Sequence, residues 1–310
     1  MAAVSYRALG SAPAMKFLLG THETSWLAKV EVPLFISHRR LRKRARLPTA
    51  MCDWALDSGG FTELNLFGGW RTQVSEYAEA VDRYAQQIGR LLWAAPMDWM
   101  CEPFMLTKTG LSVSEHQHRT VANYLELRTQ GPFIPVLQGW TAKDYARCIE
   151  LYEGAGVNLA AAPVVGVGSV CRRQSTAEIG EIMAMLAANG IRTHGFGVKK
   201  AGVARYGRLL SSADSMAWSY NARRSPPLAG CTHKRCSNCL RFALAWREEV
   251  LAREQWLALD LDDTYEPIAH STSQPRRQRL TPTGPRAAGE NSKQLQFGFG
   301  EHLPAPALAA

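Results

Sequence analysis

Hydrophobic positions along this chain follow two alternating patterns: short apolar runs, and longer stretches in which apolar residues recur at helical spacing. A short apolar run bounded by turn-forming residues is typical of a buried β-strand, and helical spacing predicts an amphipathic α-helix. Strands are predicted at residues 16–20, 33–37, 54–57, 91–98, 133–138, 158–164, 193–198 and 214–218. Helices are predicted at residues 73–88, 114–127, 142–152, 176–188 and 241–259.

This alternation of strands and helical segments predicts an α/β protein, specifically a TIM-type (β/α)8 barrel. An open, doubly wound sheet is the alternative, because alternation alone does not distinguish a closed sheet from an open one. The predicted barrel spans residues 15–262 and includes a metal motif near its carboxyl-terminal end. A flexible leader is expected at residues 1–14, and the Pro-rich, basic composition of residues 263–310 predicts a disordered tail.

Charge and cysteine usage narrow the function classes. A formal net charge of +9 and an isoelectric point of about 9.3 favour a polyanionic partner such as nucleic acid. No stretch approaches the roughly 20 apolar residues of a membrane-spanning helix, so no membrane partner is expected. Seven cysteines, three of them in one short segment, are typical of a reducing compartment. We therefore expect a cytoplasmic protein.

The turn after the third predicted strand is the strongest candidate for a catalytic position. Its sequence is Trp-Ala-Leu-Asp-Ser-Gly-Gly-Phe, residues 54–61, so an apolar run ends in one carboxylate, Asp57, before two glycines. In a (β/α)8 barrel the carboxyl ends of the strands carry the active-site groups. The alternative is a β-turn in which Asp57 and Ser58 only hydrogen-bond their own backbone.

Other strand ends carry further polar groups. Asp98, Gln138 and a turn at Gly166 follow the fourth, fifth and sixth predicted strands, and Asp214 lies at the eighth. A carboxylate accepts from the N–H groups of a guanine-like edge and an amide both donates and accepts, so Asp98 and Gln138 together can read a purine base. Asp57 and Asp214 are a candidate pair for retaining glycosyl transfer, in which one carboxylate attacks the anomeric carbon and another handles the proton. A helix cap or surface acid is the alternative for Asp214, and a loop hydrogen bond for the purine-reading pair.

Several cationic segments lie near the same predicted strand ends. Such a density of guanidinium and ammonium groups suits contacts to phosphates, which supply affinity rather than sequence choice. A solvated surface is the alternative. The predicted nucleic-acid-binding residues are Arg39, Arg40, Arg42, Lys43, Arg44, Lys199, Lys200, Arg223 and Arg224.

Residues 231–239 concentrate metal-binding residue types. The side chains of Cys231, His233, Cys236 and Cys239 can surround one tetrahedral Zn²⁺. Four protein ligands leave no open coordination position, so the predicted site is structural. Free thiols and an iron site are the alternatives.

These motifs resemble those of the tRNA-guanine transglycosylase superfamily, and look most like its DNA-modifying branch, the DpdA-like transglycosylases of deazapurine DNA modification. The resemblance covers residues 16–257 and is sharpest at Asp-Ser-Gly-Gly-Phe, residues 57–61. It implies that Asp214 is the catalytic nucleophile, that Asp57 is the second catalytic carboxylate, and that a zinc site follows the eighth strand. The implied substrate-binding residues are Ser58, Gly59, Phe61, Asp98, Gln138, Gly139 and Gly166, with Phe61 stacking on the base.

Some positions depart from the family's pattern. Thr62 stands where glutamine is common, and Trp140 stands where a second glycine is common. In the metal motif, His233 occupies the place of a middle cysteine and Cys239 replaces a distant histidine. Ligation by His233 is therefore the weakest part of the predicted zinc site.

The resemblance implies a base exchange as the reaction. Guanine in a polynucleotide, preferably DNA, would be replaced by a 7-deazaguanine base such as 7-cyano-7-deazaguanine, through a covalent aspartyl–sugar intermediate. The sequence leaves open whether partner proteins of a DNA-modification system take part. Two alternatives also stay open: the same exchange on tRNA, and a barrel that binds nucleic acid without catalysis.

Overall fold

A computed structural model of the chain describes residues 15–174 and 176–259, with side chains up to residue 252. The predicted leader, residues 1–14, and tail, residues 263–310, lie outside these residues. The strands are β1 (Lys16–Thr21), β2 (Leu34–Ser37), β3 (Trp54–Asp57), β4 (Leu91–Ala94), β5 (Val136–Leu137), β6 (Val165–Val167), β7 (Thr193–Gly195) and β8 (Ser212–Ser215). The α-helices are α1 (His38–Leu41), α2 (Gly60–Phe67), α3 (Val74–Ile88), α4 (Pro103–Thr109), α5 (Val113–Leu127), α6 (Ala142–Gly154), α7 (Ala177–Ala188), α8 (Lys200–Tyr206), α9 (Ala217–Ala222) and α10 (Leu240–Leu259).

The eight strands form one parallel sheet in the order β4-β3-β2-β1-β8-β7-β6-β5. The first and last strands of the chain are neighbours, because Lys16 of β1 pairs with Ser212 of β8. A separate parallel bridge joins Ala94, at the end of β4, to Phe133. The predicted α/β class with a sheet of eight parallel strands is confirmed.

Side chains from distant strands meet on the inner face of this sheet. The Trp93 ring on β4 lies 4.7 Å from the His194 ring on β7, measured between centroids, although β3, β2, β1 and β8 lie between these strands. The sheet is therefore curled. The apolar residues of the inner cluster are Leu18, Phe35, Ala55, Trp93, Ile134, Val136 and Val164.

The outer face of the sheet packs against the helices. On β1, Leu18 belongs to the inner cluster, whereas Phe17 and Leu19 belong to the larger core beneath the helices, as the two-residue period of a strand requires. Helix α6 begins as its sequence indicates, because Thr141 accepts from the Asp144 N–H and donates its own N–H to that carboxylate. Within the described part of the chain, no helix is long and apolar enough to cross a membrane.

Two strands lie elsewhere than predicted. Residues 158–164 form a turn, in which the Asn158 side chain accepts from the Ala161 N–H at 3.1 Å, and β6 starts only after them. Strand β8 covers Ser212–Ser215 rather than residues 214–218, because helix α9 starts at Ala217. The serines of β8 give no apolar signal, and two of the polar side chains of this strand, Ser212 and Asp214, contact His194 on β7.

Candidate active site

Asp57 lies where the sequence predicts, at the carboxyl end of β3. Ser58 and Gly59 form the turn that leads into α2. Gly59 has a φ of 82°, and a Cβ at this position would lie 2.8 Å from Cγ of Arg39. Only glycine fits this turn without strain, so the Asp-Ser-Gly-Gly motif fixes the position of the Asp57 carboxyl group.

The surroundings of Asp57 favour its protonated form. Burial raises the pKa of this carboxyl group, and the negative charge of Asp214 raises it further. Hydrogen bonds from the Ser37 hydroxyl and the Gly59 N–H, together with the charge of Arg39, oppose that rise. Both predicted catalytic carboxyl groups lie on strands of the same sheet, Asp57 on β3 and Asp214 on β8.

Asp214 is the third residue of β8 and is buried. Its Oδ1 accepts a hydrogen bond from the Gly197 N–H at 2.9 Å and lies 3.3 Å from Nε2 of His194. The other ring nitrogen of His194, Nδ1, lies 2.9 Å from Oγ of Ser212, which is also on β8. The carboxylate is therefore held from two sides through a single oxygen.

His194 was not among the residues predicted from the sequence. Its ring is fully buried and is enclosed by the rings of Phe35, Trp93 and Phe196, with centroid distances of 5.7, 4.7 and 4.9 Å. A polar residue in the middle of a buried strand, in Thr-His-Gly, was the available signal. The aromatic enclosure holds the imidazole in place against Asp214.

Asp98 and Gln138, which the sequence predicts to read one base, are in contact. Gln138 Nε2 donates to Asp98 Oδ2 at 2.5 Å, and the Ser58 hydroxyl lies 3.4 Å from Asp98 Oδ1. Burial raises the pKa of Asp98 to about 7, with a further contribution from the charge of Asp57. The structure thus brings together side chains from the ends of β3, β4 and β5.

A second pair of polar residues, missed by sequence reasoning, extends this contact. The Ser169 hydroxyl lies 2.8 Å from Gln138 Oε1 and 2.9 Å from Glu102 Oε2. Both Ser169 and Glu102 are buried. A Cβ on Gly168 would overlap the Gln138 amide, so the glycine before Ser169 makes room for that amide.

Gly166 does not form the predicted turn. It lies within β6, and a Cβ on it would come 2.6 Å from Cε2 of Phe196. Gly139 follows β5, and a Cβ there would lie 2.8 Å from Cβ of Asp144. Close packing explains both glycines, and their contact with a base stays a prediction.

Phe61 faces solvent beside the Asp57 turn. Its side chain is 38% exposed, and its ring centroid lies 6.0 Å from that of Phe104 on α4. The guanidinium of Arg172 lies 5.7 Å from the Phe61 centroid and 4.6 Å from the Phe104 centroid. An exposed aromatic surface with a cation is thus available for stacking, as the resemblance implies for Phe61.

The predicted cationic residues differ in solvent exposure and in whether they pair with other groups of the protein. Arg39 and Arg42 lie 3.4 and 3.6 Å from Oε1 of the buried Glu63, a partner that sequence reasoning missed. Arg40 Nε donates to Nδ1 of His22, and Lys200 pairs with Glu249. The guanidinium of Arg224 lies 3.5 Å from the centroid of the Tyr220 ring. The predicted cations that are exposed are Arg42, Lys43, Arg44, Lys199, Arg223 and Arg224.

The four predicted metal ligands come together. One ligand atom from each of Cys231, His233, Cys236 and Cys239 lies within 4.8 Å of all the others. The sulfur atoms of Cys231 and Cys239 are 3.9 Å apart. This separation fits an edge of about 3.8 Å expected for a tetrahedron with metal–sulfur bonds near 2.3 Å. The cluster can therefore hold a metal ion, with His233 as a geometrically suitable fourth ligand.

The fold and the site together define a class of protein. A curled parallel sheet that gathers carboxylates at the carboxyl ends of its strands is typical of α/β enzymes whose active sites lie at that edge. The sequence matches the family model DpdA, described as deoxypurine in DNA protein A, over residues 14–271. The chain belongs to the DpdA family, a transglycosylase-like family of DNA modification.

Comparison with solved structures gives low similarity. A protein of Coccidioides immitis named as a fructose-1,6-biphosphate aldolase is 8% identical with a TM-score of 0.40, covering 79% of this chain and 93% of its own. A protein of Sinorhizobium meliloti named as an isomerase is 12% identical with a TM-score of 0.33, covering 64% and 49%. Rhizobium etli pyruvate carboxylase is 10% identical with a TM-score of 0.33, covering 81% and 25%. No curated protein matches the sequence significantly.

Proposed function

We propose that this protein is a base-exchange transglycosylase that replaces guanine in DNA with a 7-deazaguanine base. Membership of the DpdA family supports DNA as the polymer. The observation that carries the chemistry is the placement of Asp57 and Asp214 on β3 and β8 of one curled parallel sheet, which also carries the contact between Asp98 and Gln138. Two carboxyl groups next to a purine-reading pair suit glycosyl transfer at a nucleotide.

Asp214 is the nucleophile in this proposal. Both of its hydrogen-bonding partners, the Gly197 N–H and His194, contact Oδ1, so we assign Oδ2 to the attack on C1′ of the target nucleotide. The C1′–N9 bond breaks, and the sugar becomes covalently attached to Asp214. Reaching C1′ requires the base to leave the helical stack, which costs a few kcal/mol that phosphate contacts to exposed cations offset.

Asp57 handles the proton. Its raised pKa lets the carboxyl group carry a proton to the departing guanine. The resulting carboxylate then removes a proton from the incoming base, whose nitrogen displaces Asp214. Two successive displacements at C1′ give net retention of configuration.

The base is held by its edge and its face. Asp98 accepts from the N–H groups of a guanine-type base, Gln138 contributes its amide, and Phe61 stacks on the ring. The remaining proposed contacts, from Ser58, Gly59, Gly139 and Gly166, involve backbone or small side chains that let the base approach closely.

Two structural details belong to the proposal. We expect the sheet to close into a full barrel between β4 and β5, supported by the bridge from Ala94 to Phe133. We also expect Zn²⁺ in the Cys3His cluster, because three sulfurs and one imidazole nitrogen at these separations suit it. With four protein ligands the ion would hold the segment between α9 and α10 in place.

Guanine exchange with an Asp214→Asn variant tests the proposal. The purified protein is incubated with 7-cyano-7-deazaguanine and either DNA or tRNA that carries labelled guanine. We expect wild-type protein to release label from DNA, and the variant to lose at least about a thousandfold in rate, as removal of a nucleophile does elsewhere.

Asp53→Asn is the matched control, because Asp53 precedes β3 at the opposite end of the sheet and pairs with Lys16. It should exchange at the wild-type rate. Full activity of Asp214→Asn would refute the assigned nucleophile. Release from tRNA alone would move the reaction to RNA, and DNA binding without release from either polymer would indicate a catalytically silent binder.

A further inference from the structure

Ser169 sits at a junction of three hydrogen-bonding groups. Its Oγ accepts from the Cys101 N–H at 2.8 Å and lies within 2.9 Å of both Gln138 Oε1 and Glu102 Oε2. All of these groups are shielded from solvent, because Cys101, Glu102, Gln138 and Ser169 are buried. Buried polar atoms need partners of the correct donor or acceptor type.

The number of hydrogen atoms around Ser169 limits which hydrogen bonds can form there. A serine hydroxyl carries one hydrogen, so Ser169 can donate to the Gln138 oxygen or to the Glu102 oxygen but not to both. With Gln138 Nε2 facing Asp98, its Oε1 can only accept, and so it takes the Ser169 hydrogen. Glu102 must then be the donor, which requires its carboxyl group to be protonated.

The reverse arrangement is also self-consistent. If the Gln138 amide turns over, its oxygen accepts from a protonated Asp98 and its nitrogen donates to Ser169, which in turn donates to an ionised Glu102. In both arrangements the two carboxyl groups hold one proton in total. The arrangements differ at Asp98. The ionised carboxylate is an acceptor toward the space beside Ser58, whereas the protonated carboxyl group can be a donor.

We propose that Glu102 and Ser169 are specificity-determining positioning residues, which share one proton with Asp98 through the Gln138 amide and thereby present Asp98 to guanine as an ionised acceptor. This inference rests on the proposed function for its choice of base. A guanine-type edge brings only N–H donors to Asp98, so binding selects the arrangement with the proton on Glu102. A base that lacks the 2-amino group, such as hypoxanthine, gives up one of those contacts.

The relay consists of Asp98, Gln138, Ser169 and Glu102, and the charges around it are consistent with a shared proton. Burial raises the pKa of both Asp98 and Glu102, and the charge of Glu102 contributes to the rise at Asp98. The charge of Asp57 acts on Asp98 in the same direction. The charges of Arg172 and Arg173, from the loop after β6, act in the opposite direction and lower the pKa of Glu102.

The backbone of Ser169 offers a way to separate its hydroxyl from its structural effect. Its φ is 57°, in the left-handed region that glycine adopts without strain. Ser169→Ala and Ser169→Gly both remove the hydroxyl, but only the glycine variant relieves the backbone strain. If the hydroxyl matters, both variants fail alike; if the backbone matters, the glycine variant recovers.

Infrared spectroscopy tests the shared proton without relying on activity. At neutral pH, the wild-type minus Glu102→Gln difference spectrum should show the C=O stretching band of one protonated carboxylic acid, because glutamine supplies the hydrogen at position 102 and leaves Asp98 ionised. The matched control is Glu126→Gln, at an exposed glutamate, which should show no acid band. Absence of the band from the Glu102→Gln difference overturns the proposal.

Guanine affinity as a function of pH tests whether Asp98 is ionised when guanine binds. Binding to the wild type should weaken about tenfold per pH unit once acidification protonates Asp98. Glu102→Gln should bind guanine at neutral pH and keep doing so to a pH lower by about one unit. Ser169→Ala and Ser169→Gly should each lose about tenfold in affinity at neutral pH, and should discriminate less between guanine and hypoxanthine.

The outcomes separate this inference from the proposed function. If the wild type exchanges guanine but Glu102→Gln shows an unchanged pH profile, or if Ser169→Gly recovers what Ser169→Ala loses, the relay is wrong and the function stands. If the wild type neither binds nor exchanges guanine, the proposed function fails, and the infrared difference alone decides whether the proton is shared.

Discussion

Asp98 is the residue at which burial and function conflict most directly. In its proposed role Asp98 must be ionised to accept hydrogen bonds at both carboxyl oxygens. Burial and the neighbouring carboxyl groups favour the neutral form and raise its pKa to about 7. The hydrogen bond from Gln138 works in the opposite direction. The site therefore holds Asp98 close to the point at which a bound base can decide its charge.

This conflict predicts a pH dependence of stability. Between about pH 4 and 7 the folded protein binds a proton at Asp98 that the unfolded chain has released, so the free energy of unfolding should fall as pH rises through this range. Asp98→Asn removes the titrating group, and we expect a flatter curve. Urea unfolding of both proteins across this range measures the difference, and parallel curves would contradict the assigned pKa.

Some polar residues of the site could be predicted from the sequence and others could not, and the difference has a physical reason. Asp57 and Asp98 each end an apolar run of the sequence, so a local pattern is enough to find them. Glu102 and His194 are buried against partners that are distant in sequence, Ser169 and Asp214, which lie 67 and 20 residues away. No local periodicity encodes such a pairing, and these residues became visible only with the fold.

At the scale of elements, two of the arginines at helix α1 are partly neutralised within the protein. Arg39 and Arg42 share the buried carboxylate of Glu63 on α2, so part of their charge is balanced within the protein. Arg39 also packs against the Gly59 turn. We infer that these arginines stabilise the Asp57 turn, and that phosphate contacts fall mainly on the exposed cations nearby.

The metal segment offers an element-scale prediction. Cys236 is buried, and its sulfur accepts from the Leu228 N–H at 3.4 Å, so the segment between α9 and α10 depends on this residue. Cys236→Ser should lower the zinc content from one ion per chain and speed proteolysis within residues 223–239, because the ligands no longer hold that segment. Elemental analysis and limited proteolysis measure both effects.

Cys52→Ser is the control for this experiment. Cys52 is a partly buried cysteine that lies outside the cluster, just before β3. Its variant should keep the metal and the wild-type cleavage pattern. A Cys236→Ser protein that retains a full complement of zinc would exclude the assigned ligand set.

The bounds of the long helices proved easier to predict than those of β6 and β8, whereas the shorter helices α1, α2, α4, α8 and α9 were not predicted. Helix α3 repeats its buried face over Tyr77, Val81, Tyr84 and Ile88, so the pattern is redundant. Strand β6 contains three residues, and β8 consists of Ser-Ala-Asp-Ser. Short strands whose side chains are small or polar are specified by their neighbours in the sheet rather than by their own sequence.

At the scale of the whole molecule, the net charge of +9 should make DNA binding dependent on salt. Lys43 is exposed near the carboxyl end of β2, so Lys43→Gln should reduce the slope of log affinity against log salt concentration by about one. Arg39→Gln should reduce it less, because Glu63 already balances part of that charge.

Lys16→Gln is the matched control, since Lys16 starts β1 at the opposite end of the sheet and pairs with Asp53. Its salt slope should equal that of the wild type. Titration of a fluorescent DNA oligonucleotide at several salt concentrations gives all four slopes. Equal slopes for Lys43→Gln and Lys16→Gln would show that DNA does not contact the predicted edge.

The pairing of β1 with β8 has a consequence for how the protein is made in the cell. The ribosome delivers Lys16 early, but its neighbour in the sheet, Ser212, emerges almost two hundred residues later. Until then β1 exposes an unpaired edge, which is a hazard for association with other nascent chains. The same delay keeps Asp214 out of the sheet, so a chain whose synthesis stops before β8 cannot bring together the two predicted catalytic carboxyl groups.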